Sequence, residues 1–244
     1  SDVYKRQAVA SAAAGAAAGM PSMMCACCSA PVAVTLRRSG VDQAAAVAYW
    51  LGNPLLNPAV VVFLALVAPW QWTVTRLVVG VGAVIGAAVL VARLAPAAVQ
   101  PNSAAAQPLS DTRPAGVRFL ASLARLCVVL IPEYFVMVLA IGAFRGWLLT
   151  ITAPEHRSLV VIVAVAIVGT LIVIPTAGEI PILQGLALLG ASSGVLGALL
   201  ITLPAVSLPG IAMVVQTFGR RATAVISGVV VGAGLVGGLA LSIA

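Results

Sequence analysis

Four apolar runs in this chain are long enough to cross a bilayer: Thr73–Leu94, Cys127–Thr150, Ser158–Ile174 and Thr223–Ala244. A helix needs about 20 residues to cross roughly 30 Å of hydrocarbon. Only 8% of the 244 residues are charged and 62% are hydrophobic; soluble domains carry about 25% charged residues. The chain therefore reads as an all-α polytopic membrane protein, with about six to seven spanning segments and the lipid bilayer as its first partner. The net charge of +7 comes from arginines in connecting segments. On such a chain a basic excess is a topology signal, so no nucleic acid is expected as a partner. Four cysteines, three of them clustered, do not make a disulfide scaffold.

Residues 1–7, SDVYKRQ, are foreign in composition to the rest of the chain. DVYKRQ is the direct translation of a transposon-end sequencing adapter, so residues 1–7 are read as an adapter scar, with an N-terminal helix expected to precede this sequence. Residues 8–94 are expected to form a first membrane repeat and 117–244 a second. Between them, 95–116 is a polar, Pro/Ser-rich stretch flanked by Arg93, Arg113, Arg118 and Arg125, hence a cytoplasmic linker.

The repeats are legible at an offset of 150 residues. Pro31 matches Pro181, Gly40 matches Gly190, Pro54 matches Pro204 and Asn57 matches Ser207. One inserted residue then aligns Pro58 with Pro209. Each half reads as a polar break ending in proline, a short apolar stretch, a glycine turn, an Ala/Gly-rich helix, a second Pro-bounded break and a further span. Pro31, Pro54, Pro58, Pro181, Pro204 and Pro209 are expected to break helices, some of them re-entrant. Whether the repeats are parallel or inverted stays open. Discontinuous helices at matching positions point to a transport site near the membrane midplane. The alternative is that the prolines only kink helices for packing.

Two of the breaks carry chemistry. In the first, Cys25, Cys27 and Cys28 fall within four positions. Thiolates bind soft centres: trivalent arsenic, Cu(I), Zn(II). Cys25 and Cys28, at i and i+3, share a helical face; Cys27 joins them only where the segment unwinds. A closed zinc site expects four ligands, and the one histidine, His156, lies in a loop. The bland alternative is three small buried residues on a packing surface, and for Cys127 that reading is preferred. In the third break, Glu179 is an acid at membrane depth, by default a functional residue; it is read as a proton carrier, with helix capping as the alternative. Thiols and acid are expected to converge. Asn53, Asn57, Gln184, Thr202 and Ser207 stand at or beside the breaks, to line the site or to satisfy freed backbone groups. Glu133, an acid inside a span, is assigned to pairing with Arg76 or Arg145 or to a proton relay. No nucleotide-binding loop and no nucleophile–base constellation occurs, so neither a cofactor nor an enzymatic activity is expected.

The runs MMCACCSAP, LRRSGVDQAAAVAYWLGNPLLNP, GEIPILQGLALLGAS and LPAVSLPGIAMVVQTFGRR resemble the ArsP/YraQ-like predicted permeases. The resemblance covers about residues 20–94 and 175–244. It implies a multi-pass protein of the bacterial inner membrane. Members are known to export trivalent organoarsenicals, with cysteine thiols implicated. The small-molecule or metalloid substrate would then meet Cys25, Cys27 and Cys28, and coupling would run through Glu179. One departure matters: the family glycine after Cys-x-Cys is Cys28 here. Two rival functions remain open, a membrane thiol–disulfide electron carrier and a structural membrane subunit.

Overall fold

The computed structural model describes residues 2–94, 159–171 and 177–243, with scattered helical positions between 116 and 139. The helices are α1 (Asp2–Gly19), α2 (Ala26–Arg38), α3 (Gln43–Leu55), α4 (Pro58–Val67), α5 (Trp70–Leu94), α6 (Leu159–Leu171), α7 (Glu179–Leu188), α8 (Ser193–Ala205), α9 (Leu208–Phe218) and α10 (Arg220–Ile243). A 3₁₀ turn, Met20–Ser22, follows α1.

Local sequence sets these boundaries the same way in both halves. Helix α2 ends at Gly40, whose φ of +92° is the left-handed conformation that glycine adopts freely. The Gly40 N–H then donates to the Arg37 carbonyl and the Val41 N–H to that of Leu36. Helix α7 ends on Gly190, φ +85°, with Gly190 donating to Ala187 and Ala191 to Leu186. Asp42 caps α3 through Ala44 N–H, and Ser192 caps α8 through Val195 N–H. Helices α3 and α8 are both 13 residues long and begin and end 150 positions apart.

These two helices are the centre of the molecule. Residues 46–55 of α3 and 194–205 of α8 are buried without interruption. Helices α1 and α5 pack against α3, α6 and α10 against α8, and α5 meets α10 between the halves. At Gly197 and Gly237, α8 and α10 touch backbone to backbone, and a Cβ on either residue would collide. The short helices cross over. Helix α2 packs on α9 of the other half, while Ile180 and Leu183 of α7 share an apolar cluster with Val60 and Leu64 of α4.

Among the described residues, three segments are long and apolar enough to span: Gln43–Val67, Trp70–Leu94 and Arg220–Ile243. A fourth is Ser193–Phe218 if α8 and α9, which meet at 53°, count as one. The linker lies outside the described residues up to position 115, and of the span expected over Cys127–Thr150 only scattered helical positions up to 139 are described. Of the expected span Ser158–Ile174, residues 159–171 are described, as helix α6.

The chain breaks at 56–57 and 206–207, inside the expected Pro-bounded stretches: Pro54 and Pro204 are each the last residue but one of α3 and α8, whereas Pro31 lies well inside α2. Each removes one helical donor, and the surrounding packing holds the helix regardless. Pro58, Pro181 and Pro209 sit in the first turn of α4, α7 and α9, where the missing N–H has no helical partner anyway.

Candidate functional site

The first break begins at Met23, which turns left-handed with φ +49°. Helix α3 holds the segment in place. Asn53 accepts from Met24 N–H at 2.8 Å and donates to Ser22 Oγ. Trp50 Nε1 donates to the Ala26 carbonyl at 2.9 Å. Asn53 thus secures the backbone beside the cysteines, one of the two roles foreseen for it.

Cys25 is the N-cap of α2, with extended backbone (φ −75°, ψ 167°), and its side chain makes no cap bond. Because it stands off the helix, its sulfur reaches Cys27 as well as Cys28, at 3.0 and 2.8 Å; Cys27 and Cys28 are 3.8 Å apart. All three sulfurs lie within 4.8 Å of one another. All are free thiols, Cys25 and Cys27 half-buried and Cys28 exposed. Three ligands held at the zinc–sulfur length of about 2.3 Å stand roughly 3.7 Å apart, so the cluster needs little rearrangement to hold one soft centre. Among the described residues no histidine or carboxylate joins the group. A trithiolate suits a three-coordinate soft atom better than closed four-coordinate zinc.

The second half offers an acid. Glu179, 2% exposed, is the first residue of α7, and its Oε1 lies 2.9 Å from Arg76 Nη2. The N-cap is Gly178, and Glu179 stands in the first turn, where an acid also complements the helix dipole. Arg76 is fully buried, and its Nη2 and Nε also donate to the carbonyls of Pro54 and Leu55 at 2.9 and 3.1 Å. Those carbonyls lack helical donors for a local reason. Pro58 has no N–H, and the Ala59 N–H turns to Asn57 Oδ1. Sequence reasoning missed this arginine's place. The signal was there, a lone arginine inside a span, but Arg76 entered only as one of two pairing options for Glu133, which lies outside the described residues.

The other expected site residues are spread along the breaks. Asn57 caps α4 through Ala59 and Val60 N–H, leaving its buried Nδ2 without a partner. Its repeat counterpart Ser207 is buried, and its Oγ has no partner either. Ser207 stands beside the cysteine segment: its Oγ, Trp50 and the Ala26 carbonyl surround Gly210. Gln184 donates to the Val67 carbonyl at 2.7 Å, tying α7 to the end of α4. Thr202 bonds Ala198 within its own helix. Cys127 is exposed on a helical stretch. Among the described residues no hydrogen bond or ion pair joins the cysteines to Glu179. The two occupy different junctions, one where α2 meets α9, the other where α5 meets α7.

The ArsP_1 family, described as a predicted permease, matches residues 2–243, both broken halves included. The chain belongs to the ArsP_1 family of predicted permeases. A relative in Escherichia coli (strain K12), the UPF0718 protein YraQ, is 41% identical over 229 residues, covering 91% of this chain. The chain spans 65% of that relative's length. No solved structure matches it. The family's description as predicted permeases agrees with the apolar, membrane-embedded helices described above.

Proposed function

We propose that this permease exports a small, soft, thiol-reactive solute, with a trivalent organoarsenical as the type, across a bacterial inner membrane and driven by an ion or proton gradient. The three sulfurs capture the solute and Glu179 serves as the coupling acid. The observation that carries the reading is the cluster itself: three free thiols on a break in an apolar segment, braced by Asn53 and Trp50 of the central helix. Soft metalloids bind such sulfurs in preference to oxygen ligands.

The test is growth of an arsenic-sensitive bacterial strain on methylarsenite, with arsenite and Cu(I) as comparisons. The wild type is expected to raise the tolerated methylarsenite concentration. Cys25→Ser/Cys27→Ser/Cys28→Ser, at equal membrane abundance, is expected to lower it by about tenfold or more. No protection by the wild type against any of the three sinks the reading. The 2.8 Å approach of Cys25 and Cys28 also favours thiol–disulfide electron transfer. A reversible disulfide between them on alkylation analysis, without transport, would select that rival.

A further inference from the structure

One side chain closes the break of the first half and also holds the second half. Arg76 satisfies the carbonyls of Pro54 and Leu55 with Nη2 and Nε, and the same Nη2 meets Glu179 at the start of α7. Both charges are buried, at 0% and 2% exposure. The link joins α5, the break after α3, and a helix from the opposite half.

The molecule carries its own control for this link. Buried residues of α5 and α10 recur 150 positions apart, which sets Arg76 against Ile226, and the 150-residue offset sets Glu179 against Ser29. Ile226 is fully buried in the main apolar cluster. Ser29 donates its hydroxyl to the Trp50 carbonyl, a group that Pro54 has deprived of its helical donor. The counterpart junction therefore closes without an ion. A buried ion pair adds little net stability, because desolvation offsets the Coulomb gain, and replacing both partners is often neutral. An ionisable pair at membrane depth is a functional feature by default. Alternating access requires the two repeats to shift against each other between discrete arrangements, and this pair lies across them.

We propose that Arg76 is the positioning residue of translocation. Acting through Glu179, it holds the 53–58 break and α7 as one unit in the arrangement seen here, and the pair opens when the halves move. The proposal rests on the permease reading but not on the identity of the solute.

The experiment needs no solute. Leu56, buried at the break, is replaced by cysteine in the full chain with Cys25, Cys27, Cys28 and Cys127 changed to serine. Its reaction with N-ethylmaleimide is followed in membranes. Adding R76Q/E179Q removes both charges while keeping hydrogen-bonding groups for the carbonyls. Labelling is expected to rise about tenfold as the population shifts, with membrane abundance and melting temperature unchanged. A merely structural pair would move the melting temperature and leave labelling in step with it. Labelling within about twofold of the parent overturns the proposal. R76K keeps the charge but loses the fork that spans both carbonyls, so it is expected to label at an intermediate rate. Should R76Q/E179Q fail to accumulate, R76K labelling at the parental rate overturns the proposal. Loss of methylarsenite protection by the wild type would remove the solute assignment and leave this result standing.

Discussion

The two halves share a backbone plan and differ in the chemistry placed on it. Both run short helix, glycine turn, buried 13-residue helix, Pro-bounded break, second short helix and long span. In the first half the opening break carries three thiols, and the three carbonyls left open by Pro54, Pro58 and the Asn57 cap are claimed by side chains: Trp50 by Ser29, Pro54 and Leu55 by Arg76. In the second half, α7 opens on Glu179 and the later break bends by 53°, while α3 and α4 run on as one 25-residue segment. A repeated backbone thus leaves each copy free to specialise. The fold tolerates the breaks, and the residues filling them decide whether a break is braced or bent.

The sharpest way to break this comparison is to change matched positions. Glu179→Ala strands a buried guanidinium, with an expected loss of about 3–5 kcal/mol. Ser29→Ala, its counterpart, removes only weak hydroxyl bonds at 3.3 Å, with an expected loss of about 1 kcal/mol. Melting in detergent compares the two, and equal losses would end the claim of a specialised junction. A smaller contrast is expected at the later breaks. Asn57→Ala loses the cap of α4, about 1–2 kcal/mol, whereas Ser207→Ala loses no bond and should stay within about 0.5 kcal/mol. Smallest of all is the difference between Gly40→Ala and Gly190→Ala. Each places a side chain at positive φ, so each should cost about 1 kcal/mol, equal to within a few tenths. Unequal losses there would mean that the shared backbone plan is not shared energetically.

Much of the plan was legible in the residues. Glycines 40 and 190 at one offset mark two identical helix ends, and Asn57 before Pro58 spells an N-cap. The thiol cluster was visible as spacing but not as geometry. Cys27 joins the others because Cys25 stands off the helix, and that backbone choice depends on Asn53 and Trp50 gripping the segment from α3. The partner of Arg76 was not legible. Apolar runs fix which segments are buried, but not which buried faces meet, so Glu179 was not raised as a partner for Arg76. Among the described residues the thiols and the acid make no direct contact, for a related reason. The short helices cross over, so each break faces the opposite half.

The guanidinium of Arg76 also has a history in time. It enters the bilayer with α5, while the stretch from residue 95 to 178 separates that helix from Glu179. At about 5–20 residues per second, a charge at membrane depth waits roughly 5–20 s for its counter-ion. During that interval it has only the two carbonyls at the 53–58 break to hold. Pro58 and Asn57, which leave those two carbonyls open, thus give the arginine a berth that does not depend on its counter-ion.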